Sequence, residues 1–254
     1  FVPGYFELAL KKGESVVFAA GLVEAKPVSL KQRFTREQKK QGERETFLSL
    51  LDHAAEQFFT VKNGQTDVIA GFPWYDSITR QTFISLPGLC LSLNDKENCK
   101  NILKTYLKYL NNGFFPDQIN DQIPKYHSAD APLWFIWTIQ QYFKKFQNPE
   151  ETWNNYGPAI REILSSYKKS TLEYISITRE GLVYAEKDQT ALTWMNSAVN
   201  GKPVVQRAGM PVEINALWYN AICFALNLAE MAGDHHFVES WKEMPEKVAK
   251  AFLN

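Results

Sequence analysis

Residues Ala191 to Ala221 read ALTWMNSAVNGKPVVQRAGMPVEINALWYNA, and this stretch decides how the 254-residue chain is interpreted. It places Trp194 and Trp218 close to the carboxylate of Glu213 and to several side-chain amides. The glycines and prolines between its two ends predict an irregular loop that leads into a helix. Aromatic rings stack on the C–H faces of a pyranose, and amides and carboxylates bind its hydroxyls. The stretch therefore indicates a loop that binds a sugar.

Two earlier blocks of the sequence share this character. The first reads GFPWY at residues 71–75 and continues as RQTFISLPGL at residues 80–89, and the second reads DAPLWF at residues 130–135. In this order, the three blocks resemble the signatures of the glucosidase domain of glycogen debranching enzymes, the amylo-α-1,6-glucosidase family. Three ordered motifs are more specific than any one of them alone. The resemblance implies a glycoside hydrolase domain that acts on α-1,6-linked glucose in glycogen catabolism by inverting hydrolysis.

Hydrophobic periodicity and breaker residues predict a chain that is mainly α-helical. The predicted helices span about residues 34–59, 80–93 with a break at Pro87–Gly88, 95–110, 131–146, 148–170, 213–231 and 236–253. The pattern lacks the βαβ alternation of a parallel sheet and the short repeat of a helical solenoid. The resemblance implies an (α/α)6 barrel, and seven helices are only part of that ring. We expect an incomplete barrel that belongs to a longer chain.

The N-terminal residues predict a different local structure. Residues 5–10 and 15–19 flank a turn at Lys11–Glu14, a pattern typical of a β-hairpin. We expect residues 1–30 to be this hairpin, or the tail of an upstream β domain, followed by a linker that begins at Gly21. Residues 31–254 would then form the helical barrel domain. A polar loop is expected at residues 116–128 and an irregular segment at residues 178–191.

The resemblance also assigns roles that two residues of this chain do not fit. Inverting hydrolysis needs a protonated carboxyl at the leaving oxygen and a carboxylate that activates water, roughly 6.5–9.5 Å apart. In the family the residue after Trp-Met is usually Asp and is the expected general acid, but here it is Asn196. An amide cannot donate that proton at neutral pH. The family's general base lies further downstream than residue 254.

The second departure is at Gln81, where the family usually has Asp beside Arg in a pair that holds the hydroxyls of the terminal glucose. Arg80 retains the donor half of this clamp, while Gln81 retains hydrogen-bonding capacity without the charge. Asp76 is a candidate replacement for that charge. We therefore expect a domain that binds an α-glucan and hydrolyses it poorly or not at all.

Each remaining site candidate has a structural alternative. Glu213 is a catalytic candidate, and Asp130 and Arg207 are candidates for substrate binding. Asp130 also precedes a predicted helix as an N-cap, and Glu213 stands where a carboxylate stabilises a helix start. Arg207 is also placed to fix the loop between the two ends of residues 191–221, called here the signature loop. The aromatic candidates either line the sugar pocket or buttress the inner helices, and they are Trp74, Trp134, Trp194 and Trp218.

The composition of the chain argues against several other classes of function. The net charge is zero, which argues against a nucleic-acid partner, and no apolar run has the roughly 18 residues of a membrane span. The first residues lack the features of a signal peptide, and three cysteines without metal-ligand spacing predict free thiols in a reducing, cytoplasmic compartment. We expect no metal and no cofactor. The alternatives are a non-catalytic α-glucan-binding domain on the same fold, a glycosidase for a different glycoside, and an α-helical scaffold.

Overall fold

The computed structural model describes residues 4–20, 26–40, 46–62, 64–72, 74–119 and 123–253. The chain divides into two compact units, residues 1–54 and residues 55–254. Nine α-helices and six short strands are formed by the described residues, so the chain is mainly α-helical, as predicted. Across these residues, no helix combines the length and the apolar character that crossing a bilayer requires.

The N-terminal unit corrects two predictions. The turn at Lys11–Glu14 forms, with the amide of Glu14 donating to the carbonyl of Lys11 at 3.0 Å, but residues 4–20 contain no strand. Nearly all of their side chains are exposed, and a strand pair that buries no apolar face is marginal. The predicted helix over 34–59 is instead α1 (Pro27–Lys40) and α2 (Phe47–Glu56). Residues 21–25 of the predicted linker, and residues 41–45, lie outside the described residues.

The second unit begins with an antiparallel pair, β1 (Phe59–Lys62) and β2 (Gln65–Val68). The first predicted break is confirmed, because α3 (Thr79–Leu86) ends where Pro87 opens a π-helical turn, Pro87–Leu91. The other helices lie within a few residues of the predictions, except that two short helices replace the last one. The helices that match are α4 (Lys96–Leu107), α5 (Ala131–Phe146), α6 (Pro149–Lys169) and α7 (Val212–Met231). The two short helices at the end are α8 (His235–Trp241) and α9 (Met244–Leu253).

The long connection between α6 and α7 is not fully irregular. It contains two antiparallel pairs, β3 (Ile175–Ile177) with β4 (Val183–Ala185), and β5 (Ala198–Val199) with β6 (Lys202–Pro203). The signature loop thus starts after the β3–β4 pair, contains the β5–β6 pair and ends at α7.

The core of the second unit is aromatic. Helix α5 packs against α3, α6 and α7, and α7 also packs against α6, α8 and α9. The ring of Phe83 on α3 meets those of Tyr106, Phe115 and Phe135 with centroids 4.9, 5.1 and 5.3 Å apart. Burying large rings in this way holds the helix starts of α3 and α5 in place. The closed ring of twelve helices stays a prediction.

Candidate functional site

The start of α3, the connection between α4 and α5 and the connection between α6 and α7 line a cavity of about 580 Å³, called here the first pocket. Two of the predicted site residues, Arg80 and Asn196, line it together. They come from different sequence blocks. The amide of Ala129, which precedes the DAPLWF block, donates to the carbonyl of Leu192 in the 191–221 stretch at 2.8 Å. The other lining residues are Ile78, Asp117, Gln118, Lys125, His127, Ser128, Gln189, Thr190, Ala191, Ala198, Gly201 and Pro203.

A buried ion pair fixes the wall of the first pocket. The Nε of Arg80 donates to both carboxylate oxygens of Asp130, at 2.8 and 2.9 Å, and the two residues are only 4% and 1% exposed. Asp130 precedes α5 as predicted, but its carboxylate makes no cap hydrogen bond and binds Arg80 instead. Burial raises the pKa of the Asp130 carboxyl, and the Arg80 guanidinium opposes that rise. Arg80 is therefore held rigidly by a partner behind the pocket.

The hydrogen bonds continue from Arg80 to a carboxylate that the sequence did not single out. Arg80 Nη2 donates to Ser128 Oγ at 3.1 Å, and Ser128 Oγ donates to Asp117 Oδ1 at 2.9 Å. The backbone of Asp117 is fixed on both sides, by the carbonyl of Lys125 at 2.7 Å and the amide of Thr79 at 3.0 Å. Asp117 is the only carboxylate among the described residues that line the first pocket. Its one sequence signal was an Asp in the polar loop before the DAPLWF block.

His127 extends the same network and was also missed. Its Nδ1 lies 3.5 Å from Asp117 Oδ2, and its Nε2 lies 3.2 Å from Lys187 Nζ. Burial lowers the pKa of His127, Lys187 and Lys125 lower it further, and Asp117 opposes them. The lowered pKa favours the neutral imidazole, and in the tautomer whose Nε2 accepts from Lys187 the Nδ1 proton faces Asp117.

A second cavity, of about 430 Å³, adjoins the first and is called the second pocket. Ser77 and Ile119 line it, whereas their sequence neighbours Ile78 and Gln118 line the first pocket, so the two share a wall. The predicted site residues Trp74 and Asp76 lie in this second pocket. Its remaining lining residues are Thr60, Lys62, Gln65, Asp67, Ile69, Tyr75, Thr105 and Tyr109.

A family model described as amylo-alpha-1,6-glucosidase matches residues 46–254. The chain belongs to this family. Among the curated proteins, none matches the chain. The family match spans all three sequence blocks and every residue of both pockets.

The other residues proposed from the family motifs lie elsewhere. Gln81 lines a smaller cavity of about 170 Å³ with Phe58 and Leu89, apart from its neighbour Arg80. Trp218 is fully buried, donates from Nε1 to the carbonyl of Gly181 at 3.1 Å and stacks on Tyr167. This position favours the packing alternative for Trp218.

The two other tryptophans of the family blocks also line neither pocket. Trp134 is partly buried against the core, with its ring centroid 5.3 Å from that of Trp137. Trp194 is half-exposed beside Met195 in the signature loop. Two of the four proposed tryptophans, Trp134 and Trp218, therefore belong to the core of this family member.

An ion pair closes the signature loop of this amylo-alpha-1,6-glucosidase family member. Arg207 Nη2 binds Glu213 Oε2 in the first turn of α7, and Arg207 Nη1 lies 3.8 Å from Met195 Sδ. Arg207 adopts a left-handed conformation with φ of 49°. The pair ties the start of α7 to the residue before Asn196, which favours the loop-fixing alternative for both side chains. Across the described residues, no group of three or more His, Cys, Asp or Glu side chains could hold a metal ion.

Proposed function

We propose that the first pocket binds the terminal glucose unit of an α-1,6-linked branch of an α-glucan. The protein would then be a debranching-type glucosidase domain whose hydrolysis is impaired by the amide at position 196. The observation that carries this proposal is that Arg80 and Asn196, from separate family motifs, line one pocket in a member of this family. Ligand sites for small molecules are commonly of about this volume, roughly 300–1,000 Å³.

The chemistry of the first pocket supports a neutral, hydroxyl-rich ligand. The amides of Gln189 and Asn196 and the hydroxyl of Thr190 both donate and accept hydrogen bonds, as sugar hydroxyls do. Asp117 adds a fixed carboxylate, and hydrogen bonds to a charged acceptor are the stronger ones. We assign to Asp117 the acceptor role that Gln81, in its separate cavity, does not fill.

The residues that line the first pocket also support slow hydrolysis. Inversion needs two carboxyls, one protonated and one ionised, on opposite sides of the sugar. The described residues that line the first pocket offer one carboxylate, Asp117, and an amide at position 196. The Asp117 carboxylate already accepts from the amide of His127 and from Ser128, and Asn196 cannot protonate the leaving oxygen.

Restoring the missing acid tests the proposal. In Asn196→Asp, glucose release from a branched limit dextrin should rise by about 10²-fold, because one positioned general acid contributes roughly that much. Asn200→Asp is the matched control, since Asn200 is exposed in the same loop and lines neither pocket. Calorimetry should show that the unmodified protein binds the glucan and that both variants do so too.

Four results would contradict the proposal in different ways. Rapid glucose release by the unmodified protein would show that Asn196 does not impair hydrolysis. Turnover of another glycoside would identify a different glycosidase, and binding of no saccharide would leave a helical scaffold. Binding without turnover, even in Asn196→Asp, would select a non-catalytic glucan-binding domain.

The corresponding process is glycogen breakdown, which we infer takes place in the cytoplasm for this protein. Cys90, Cys99 and Cys223 are all free thiols, and the first two are buried. Free thiols are typical of a reducing compartment.

A further inference from the structure

Lys187 is a charged residue at the edge of the first pocket that the proposed function does not use. It is partly buried and lies two residues after β4, in the connection between α6 and α7. Gln189, Thr190 and Ala191 follow it along the chain and form part of the wall of the first pocket. The contacts that fix Lys187 therefore also fix the side chains that this wall offers to a ligand.

Two hydrogen bonds hold the backbone of Lys187. Its carbonyl accepts from the amide of Thr190 at 3.2 Å, which closes a turn that contains Gln189 in a left-handed conformation with φ of 48°. The same carbonyl accepts from Gln206 Nε2 at 3.0 Å. Because Gln206 belongs to the signature loop, the turn and the signature loop are attached to each other at Lys187.

The side chain of Lys187 reaches a different wall of the first pocket. Its Nζ lies 3.2 Å from Nε2 of His127, which lines the pocket from the connection between α4 and α5. The ammonium also lies 4.4 Å from the centroid of the Tyr174 ring, and Tyr174 Oη donates to the carbonyl of Tyr126 at 2.8 Å. A cation is attracted to the face of an aromatic ring. Lys187 thus joins two segments of the chain that line the same cavity.

The contact between Lys187 and His127 requires a neutral imidazole. An ammonium has only donors, so Nε2 of His127 has to offer its lone pair, and a protonated imidazole has no free lone pair. Two cations so close together would also repel each other. Protonation of His127 is therefore incompatible with this contact.

The groups around His127 set the pH at which the contact is lost. Burial holds the pKa of His127 below its ordinary value of 6.5, and within the described part of the chain three charged groups act on the ring. Asp117 favours the imidazolium, whereas Lys187 and Lys125 favour the neutral ring. Because the intact arrangement binds the proton more weakly than a free imidazole does, it is stable above pH 6.5 and loses stability as the pH falls below that value.

We propose that Lys187 is a positioning residue of the first pocket, whose contact with His127 holds the wall formed by residues 189–191 and makes that wall sensitive to pH. On protonation, His127 keeps Asp117, 3.5 Å from its Nδ1, and releases Lys187. The turn of residues 187–190 then loses this link, and Gln189 and Thr190 lose their fixed positions. The effect on sugar binding rests on the proposed function of the first pocket, whereas the effect on the wall does not.

Hydrogen exchange of the Thr190 amide, followed by NMR, tests the wall without any ligand. The reference is His127→Gln at the same pH, because the side-chain oxygen of glutamine can accept from Lys187 at every pH. The two proteins should exchange equally at about pH 7.5, where histidine is neutral. At about pH 5.5 the unmodified protein should exchange about fivefold faster, the lower end of usual couplings between two linked sites.

Lys187→Met removes the ammonium and keeps the length of the side chain. Its Thr190 amide should exchange at about pH 7.5 with the reduced protection that the unmodified protein shows only in acid. Lys202→Met and His235→Gln are the matched controls, because both residues are exposed and line neither pocket. Melting temperatures show that each variant is folded, and the comparison with His127→Gln does not depend on Lys187→Met.

Calorimetry with a branched limit dextrin measures the effect of the wall on binding. The affinity of the unmodified protein should fall about fivefold between about pH 7.5 and about pH 5.5. In His127→Gln the affinity, at whatever level it lies, should be the same at both pH values. The two control variants should show the pH dependence of the unmodified protein.

The outcomes separate this inference from the proposed function. If the dextrin binds but its affinity or the exchange of Thr190 is no more sensitive to pH than in His127→Gln, the inference is wrong and the proposed function stands. If Lys187→Met protects Thr190 as the unmodified protein does at both pH values, Lys187 does not position the wall. If Thr190 responds as expected but the dextrin binds at neither pH, the proposed function fails and the role of Lys187 in holding the wall stands.

Discussion

Arg80 and Asp130 determine the geometry of the first pocket at the scale of single residues. Two buried charges lose their hydration, which destabilises the pair. The close contact between them and the hydrogen bond from Arg80 to Ser128 Oγ compensate for this loss. The sequence identified both residues, but it assigned Arg80 to the sugar and Asp130 to the helix start. The structure shows them bound to each other, because a buried guanidinium without a carboxylate would be far more costly than an uncapped helix.

Removing the charge of Asp130 should destabilise the protein strongly. Asp130→Asn keeps the size of the side chain but leaves Arg80 charged and unpaired in the interior, which costs about 3–5 kcal/mol. The free energy of unfolding in urea measures the loss. Asp188→Asn is the control, because Asp188 is exposed and its substitution should stay within about 0.5 kcal/mol. Equal stability of the two variants would mean that the pair contributes nothing.

Asn196 and Arg80 could be found in the sequence because they stand in recognisable motifs. Asp117 and His127 could not, since they lie in a polar loop whose composition resembles any other surface loop. Their contacts with Ser128 and Lys187 join residues up to 60 positions apart. Only the packing of that loop against the start of α3 turns them into part of a site.

At the scale of elements, the helices with visible end signals were predicted best. Helix α6 begins after Asn148, whose side chain accepts from the amide of Glu151, and ends at Ser170 in a left-handed conformation. Both ends lie within one residue of the prediction. The prediction of one helix over residues 34–59 was wrong. Its apolar spacing continued through residues that form parts of two helices and the start of a strand in the structure.

The turn between α4 and the DAPLWF block gives a test of how closely these elements pack. Gly113 has φ of 77°, its amide donates to Glu162 Oε1 at 2.8 Å, and a Cβ there would lie 2.4 Å from Ser166 on α6. Gly201 has nearly the same φ, 76°, but a Cβ there would meet no atom within 4 Å among the described residues. Comparing alanine at the two sites therefore separates steric overlap from backbone strain.

Gly113→Ala should cost clearly more stability than Gly201→Ala. The left-handed backbone penalises alanine by about 1–2 kcal/mol at either position. Overpacking against α6 adds about 1–3 kcal/mol at Gly113 alone. Chemical unfolding of both variants measures the difference, and equal losses would show that α6 moves away without resistance.

At the scale of the whole molecule, the buried core belongs to one unit. Within the part of the chain that the structure describes, all of the buried hydrophobic residues lie between Val68 and Val248, and no residue of the first unit is buried. Hydrophobic burial is the main favourable term in folding, so the second unit holds the stability of the described fold.

Removing residues 1–45 should therefore leave the rest of the protein folded. The shortened chain, residues 46–254, corresponds to the family match and keeps both pockets. Its melting temperature and its affinity for maltooligosaccharides should equal those of the full chain. A large drop in melting temperature would show that the N-terminal residues contribute stability that their exposure does not indicate.

The sequence by itself determined the family and the helical class, and it predicted two departures from the family motifs at positions 81 and 196, because these conclusions depend on residue identity and local periodicity. The tertiary structure alone decided which motif residues share a pocket. It brought Arg80 and Asn196 together with Asp117, placed Trp74 in an adjoining cavity and put Trp218 in the core. The physical reason is that buried charges and large rings must find partners across the fold, and those partners are remote in sequence.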